Sequence, residues 1–126
     1  MQINKRSRAE LKAYFVKNAI PTENNFAELI DAPLNQKDDG VVKQPGTPLS
    51  VEAVGDDTSQ KEVLALYNSF ADNNAAWRVS LNPRANPDDP KSARAGFSVT
   101  DAAGRSRLFI DAASGRLGLL PTTLLR

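Results

Sequence analysis

The sequence predicts an α+β fold, with a short helical region at the N-terminus followed by a β-rich module of antiparallel, meander-like strands. Three observations carry this prediction. Before residue 40, apolar residues recur at helical spacing behind two capping signals. A stretch rich in glycine and proline follows, and beyond it apolar and polar residues alternate with period two between Asp/Gly turns.

Ser7-Arg8-Ala9-Glu10 has the spacing of a capping box, in which the serine hydroxyl accepts a backbone N–H three residues on and the glutamate reaches back. A helix is expected to start there and to carry Leu11, Tyr14, Phe15 and Ile20 to one side. Pro21 ends it, because proline lacks the amide proton and clashes with the preceding turn. Thr22 offers a second cap. The helix behind it places Phe26, Leu29 and Ile30 on one stripe, and Pro33 closes it. Neither helix is long enough to hold itself together in water, so each stripe needs a partner. A helical hairpin within one copy and packing around a symmetry axis with other copies both satisfy that need.

Residues 1–40 are thus read as the helical region and 41–48, with two glycine and proline signals in close succession, as a linker. Residues 49–126 form the β-rich module. Leu49, Val51 and Ala53 alternate with polar residues, as do Trp77, Val79 and Leu81. Residues 62–70 suit either a helix stripe or a buried strand. Strand is preferred because the neighbours on both sides are strand-like. Residues 82–94 form a polar loop holding Pro83, Pro87 and Pro90, long enough to be a surface projection or an interface element. If the module binds a ligand, Trp77 together with Asn82, Arg84, Asp88 and Asp89 is the expected contact set. Near the end, Asp101-Ala102-Ala103-Gly104-Arg105 is echoed by Asp111-Ala112-Ala113-Ser114-Gly115-Arg116. Each copy lies between alternating apolar pairs, Phe97 with Val99, Leu108 with Ile110 and Leu117 with Leu119, which predicts three short strands joined by tight turns.

Composition narrows the chemistry. The 126 residues are 40% hydrophobic and 25% charged, which suits one modest domain or a short arm plus a small domain. Several of the largest apolar residues sit in segments too short to be covered within one copy, so self-association is expected. A net charge of +1 gives no general pull toward nucleic acid or an anionic membrane, and neither is expected as a partner. The charges are nevertheless segregated. Lys5, Arg6, Arg8, Lys12 and Lys17 face only Glu10, whereas Glu23, Glu28, Asp31, Asp38 and Asp39 face only Lys37. Two solvated helix faces are the simpler account of this, and complementary contacts between subunits are the alternative.

Cysteine and histidine are both absent, which removes disulfides, thiolate chemistry, the commonest general base and the commonest metal ligand. The pairs Asp38-Asp39, Asp56-Asp57 and Asp88-Asp89 are the remaining polar constellations, and each lies where aspartate serves turns and caps. None has the spaced oxygen ligands of a calcium loop, and the glycines never cluster as a phosphate cradle. No catalytic residue, metal site or cofactor is therefore expected. The basic N-terminus lacks the apolar run of a secretory signal, and no stretch reaches membrane-spanning length.

Residues 20–31, Ile-Pro-Thr-Glu-Asn-Asn-Phe-Ala-Glu-Leu-Ile-Asp, with Leu34-Asn35-Gln36-Lys37-Asp38-Asp39-Gly40 after them, resemble the opening segment of phage and prophage tail-fibre-like proteins. Ser106-Arg107-Leu108-Phe109-Ile110-Asp111, followed by Ser114-Gly115-Arg116-Leu117-Gly118-Leu119, is similar to the Leu-Phe-Ile-Asp…Thr-Gly-Asn-Val-Gly-Ile-Gly-Thr signature of trimeric fibre shafts and collars. Together these stretches cover about a quarter of the chain. The sequence departs from the signature at its end, where Leu119-Leu120-Pro121-Thr122 stands in place of Ile-Gly-Thr. It is accordingly read as a truncated piece or an adaptor without a full shaft and receptor-binding tip.

The resemblance implies an intertwined homotrimer that scaffolds a virion or tail-like particle, made in the bacterial cytoplasm and joined to other tail or baseplate components. Residues 1–40 would then serve attachment and oligomerisation, and 49–126 would form a fibre- or collar-like module. Phe15, Phe26, Leu29 and Ile30 in the helical part and Leu108, Ile110, Leu117 and Leu119 in the β part are the expected interface residues. Two alternatives stand beside this expectation. One is a glycan- or receptor-binding module using Trp77 and the 82–94 loop, and the other is a trimerising accessory domain of a catalytic or toxin partner.

Overall fold

A computed structural model describes residues 1–119. It divides the chain into two compact units, Gln2–Val51 and the segment from Glu52 onward together with Met1.

In the N-terminal unit, helix α1 spans Arg8–Ala13 behind a complete capping box. The Glu10 amide donates to Ser7 Oγ at 3.2 Å and the Ser7 amide to the Glu10 carboxylate at 3.3 Å. The helix is shorter than its apolar spacing suggests. Its last turn tightens, with the Tyr14 and Phe15 amides donating three residues back to Leu11 and Lys12, and Asn18 then takes a left-handed φ of 69°. Tyr14, Phe15 and Ile20 therefore lie beyond the helix, on the connection to Pro21. Helix α2, Glu23–Asp31, begins at Thr22, which exchanges hydrogen bonds with Asn25 in a second capping box. Phe15 on the connection packs on Phe26 of α2, their ring centroids 5.4 Å apart, and Leu11 is the buried residue of α1. Polar contacts close the same seam. Glu28 accepts from the Tyr14 hydroxyl and pairs with Arg6 at 3.3 Å, while Arg6 also reaches Glu10 at 3.0 Å. The adjoining basic and acidic stretches thus make part of their ion pairing within one copy, with the modest stabilisation typical of exposed pairs.

The segment expected as a linker folds back on itself. Strands β1 (Val41–Val42) and β2 (Ser50–Val51) pair antiparallel, with Val41 opposite Val51. Gly46 supplies a φ of +75° in the loop between them, and Thr47 closes a turn onto the Gln44 carbonyl at 3.1 Å. The glycine and proline residues therefore mark a reversal of direction, and the boundary between the units falls after Val51. Only Ser50–Val51 of the alternating 49–53 stretch is strand.

The C-terminal unit is a five-stranded antiparallel meander in sequence order: β3 (Glu62–Leu66), β4 (Trp77–Ser80), β5 (Gly96–Asp101), β6 (Ser106–Asp111) and β7 (Leu117–Leu119). Of the ambiguous 62–70 stretch, Glu62–Leu66 is strand. Tyr67 and Phe70 lie in the following loop with their rings 5.5 Å apart. Ahead of β3, the Ser59 hydroxyl donates to the Asp56 carbonyl at 2.8 Å. The echoed Asp/Gly segments form the two turns of the last three strands, with Gly104 and Gly115 at φ of +85° and +71°. Asp101 accepts from the Ala103 and Arg105 amides at 3.0 and 2.9 Å, which is why aspartate opens the first turn. The Leu120, Pro121 and Thr122 that set the sequence apart from the fibre signature lie outside the described residues.

Candidate assembly face

In an antiparallel pair, residues directly opposite each other point to the same face, and successive residues along a strand point to opposite faces. The registers of the meander therefore sort its side chains into two sets. On one face, Leu64 lies opposite Val79, Val79 opposite Val99, Val99 opposite Leu108 and Leu108 opposite Leu119, an unbroken aliphatic row crossing all five strands. A second row on this face joins Phe97, Ile110 and Leu117, and a third joins Leu66 and Trp77. On the other face the row through the same strands reads Glu62, Ser80, Ser98, Phe109 and Gly118, beside Ala65, Arg78, Thr100 and Ser106.

Burial runs opposite to polarity. The most deeply enclosed side chains of the sheet are Ser80, Ser98 and Thr100, all on the polar face. On the apolar face Leu117 is 62% exposed, Leu66 53%, Leu64 50%, Trp77 43% and Phe97 42%. A sheet that stabilised one copy alone would enclose the aliphatic row and leave the serines in water, because burial of apolar area supplies the main favourable term and burial of a hydroxyl costs unless it is bonded. Ser98 and Ser106 meet that condition by bonding to each other.

The loop between β4 and β5 lies on the polar side, where Pro83, Arg84, Ala85 and Arg94 line a cleft of about 230 Å³ with Ser106 and Phe109. Its polar residues largely brace the loop. Asn82 donates to the Asp57 and Ser59 carbonyls at 3.3 and 2.8 Å, and Arg84 donates to the Thr58 and Pro87 carbonyls at 2.7 and 3.2 Å. Asp89 caps the 3₁₀ turn Pro90–Ser92 by accepting from the Lys91 amide, and the Asp88 amide donates to Asn86. Trp77 is separate from this set by its face, since it belongs with the aliphatic rows. The structure therefore brings Leu108, Ile110, Leu117 and Leu119 together on one surface, and it adds Leu64, Leu66, Trp77, Val79, Phe97 and Val99 to them. In the N-terminal unit, Phe26 and Leu29 are half exposed and Ile30 is 70% exposed, while Phe15 packs on Phe26.

Two carboxylates fasten the ends of β6. Burial works against ionisation of Asp101, but the Arg105 amide and the guanidinium groups of Arg107 and Arg105, at 2.9 and 3.3 Å, outweigh it and hold its pKa below the ordinary value. Asp111 is likewise held low, chiefly by the Ser114 hydroxyl at 2.7 Å against a desolvation penalty, with Arg94 adding an attraction at 3.1 Å. A carboxyl whose native pKa lies below its unfolded value of about 4 adds stability that is present above that pH and is lost as pH falls through the native pKa. The sheet unit is therefore expected to lose stability on acidification below about pH 4. Asp101→Asn should be less stable than the parent at neutral pH and flatter over the acid range, which chemical denaturation at a series of pH values will read. A parent and variant falling in parallel would refute the assignment.

Asp56, held low by the Thr58 hydroxyl and amide, and Asp57, paired with Lys61 at 2.9 Å, belong to a turn, as does Asp39, which accepts from the Asn35 amide. Among the described residues, no group of three or more acidic side chains is placed to hold a metal ion, and no helix is long and apolar enough to cross a membrane. No protein-family model, curated protein or solved structure matches this chain.

Proposed function

We propose that the chain is a non-catalytic structural module of a phage tail fibre or phage-tail-like particle. It acts as a homotrimeric scaffold or adaptor that joins other tail or baseplate components. The observation that carries this reading is the inverted sheet, which encloses serine and threonine within a copy and leaves leucine, isoleucine, phenylalanine and tryptophan in the open. An apolar surface of that extent marks a site of association. The resemblance of residues 20–40 and 106–119 to tail-fibre segments favours threefold association and gives the particle. The half-open stripe of α2 offers a further surface for joining copies or neighbouring components. Sedimentation or light scattering of the purified chain at micromolar concentration should return three times the mass of one chain. A monodisperse single chain under those conditions would reject the proposal.

A further inference from the structure

We infer that the apolar face of the five-stranded sheet packs against the same face of other copies, so that Trp77 is covered by a neighbouring chain. This rests on the homotrimeric reading and specifies which surface closes the assembly. Three features of the face point to a second copy as its occupant. The first is charge. Among the described residues, the charges at the aliphatic rows gather at one end of β5, where the guanidinium groups of Arg105 and Arg107 engage the Asp101 carboxylate. The rows through Leu64, Val79, Val99, Leu108 and Leu119 and through Phe97, Ile110 and Leu117 carry no charged side chain, so over them the face can meet itself without like-charge repulsion, and interfaces between identical subunits are the more apolar kind.

The second feature is shape. Exposure is greatest toward the border strands, at Leu64, Leu66 and Leu117, and lower at Val79 and Val99 in the middle. The surface is an open sheet face crossed by continuous rows, which suits another broad apolar face better than a small ligand, whose sites are concave. The third is extent. Seven side chains of this face are between 38% and 62% open, roughly several hundred Å², the upper end of what a monomer leaves as one patch.

The chain contains a single tryptophan, so its fluorescence reports on this face alone. In the full chain, at concentrations where light scattering gives the trimer mass, Trp77 emission should be blue-shifted and its quenching by acrylamide several-fold weaker than that of a free tryptophan derivative. Both properties should revert when the assembly is brought to single chains by dilution, or by the Ile110→Lys substitution where dilution is insufficient. A trimer whose Trp77 is quenched as readily as the free derivative overturns the face-to-face arrangement while leaving the homotrimer standing. Protection that persists unchanged in the single chain also overturns it, because the cover would then come from the same copy. A chain that never assembles removes the homotrimeric reading and this inference together.

Discussion

Ile110→Lys is expected to convert the assembled protein to single chains without unfolding the sheet. Ile110 lies between Phe97 and Leu117 on the apolar face and is 39% exposed, so in one copy a lysine there can carry its stem across the neighbouring side chains and its ammonium into water. Around an assembly axis the same substitution enters once per copy and finds no acceptor, since its cross-strand neighbours on that face are a phenylalanine and a leucine. Taking the lower end of the cost of burying an unpaired polar group, about 2 kcal/mol per copy, a trimer loses about 6 kcal/mol. That is about 10⁴-fold in its association constant. Sedimentation equilibrium reads the loss, and far-ultraviolet circular dichroism reads whether the strands remain. A variant that still sediments as three chains at micromolar concentration would exclude Ile110 from the contact. Arg78→Ala supplies a contrast, because it removes a charge from the opposite face, where Arg78 pairs with Glu62 at 3.5 Å, and it should leave the mass unchanged.

The features legible in the sequence were those decided within a few residues. The Ser7 capping box and the Thr22 cap depend on a hydroxyl just ahead of each helix, and the last three strands on alternation interrupted by an aspartate and a glycine that accepts positive φ. For the same reason Leu108, Ile110, Leu117 and Leu119 could be assigned to one surface, since only short turns separate the strands that carry them. The extension of that surface to Leu64, Leu66 and Val79 was not legible. It depends on pairing β4 with β5 across the 82–95 loop, and on the register shift between Glu62 and Leu64 that brings Leu64 opposite Val79. A one-residue slip at either place would turn those leucines to the polar side. The 41–48 stretch shows the converse limit, because glycine and proline mark a change of direction without saying whether the chain then separates or returns. Likewise the spacing of Tyr14, Phe15 and Ile20 fits a continuing helix, but it does not register the tightened last turn and left-handed Asn18 that end it.

Gly96→Ala should be the most damaging single-methyl change in the sheet, and its effect should fall on the fold of each copy. A Cβ at position 96 would stand 2.2 Å from the Ile110 carbonyl oxygen and 2.7 Å from the Phe109 ring. The ring could rotate. The carbonyl has no such freedom, because Gly96 lies opposite Asp111 at the start of β5, where the two strands are in ladder register and the Gly96 amide donates to the Leu81 carbonyl at 3.0 Å. Relief of the clash therefore requires β5 to move away from β6, opening the central pairing of the meander and the row that runs from Val99 to Leu108 and Leu119. Overpacking of this kind costs about 1–3 kcal/mol and occasionally more, and the backbone contact places this site at the upper end. For a unit of this size that corresponds to a fall in melting temperature of roughly 10 °C or more. Gly118→Ala is the matched control, since a Cβ there meets nothing within 4 Å. It should leave the melting temperature within a few degrees, and equal losses in the two variants would show that glycine at position 96 is not required by the close approach of β6.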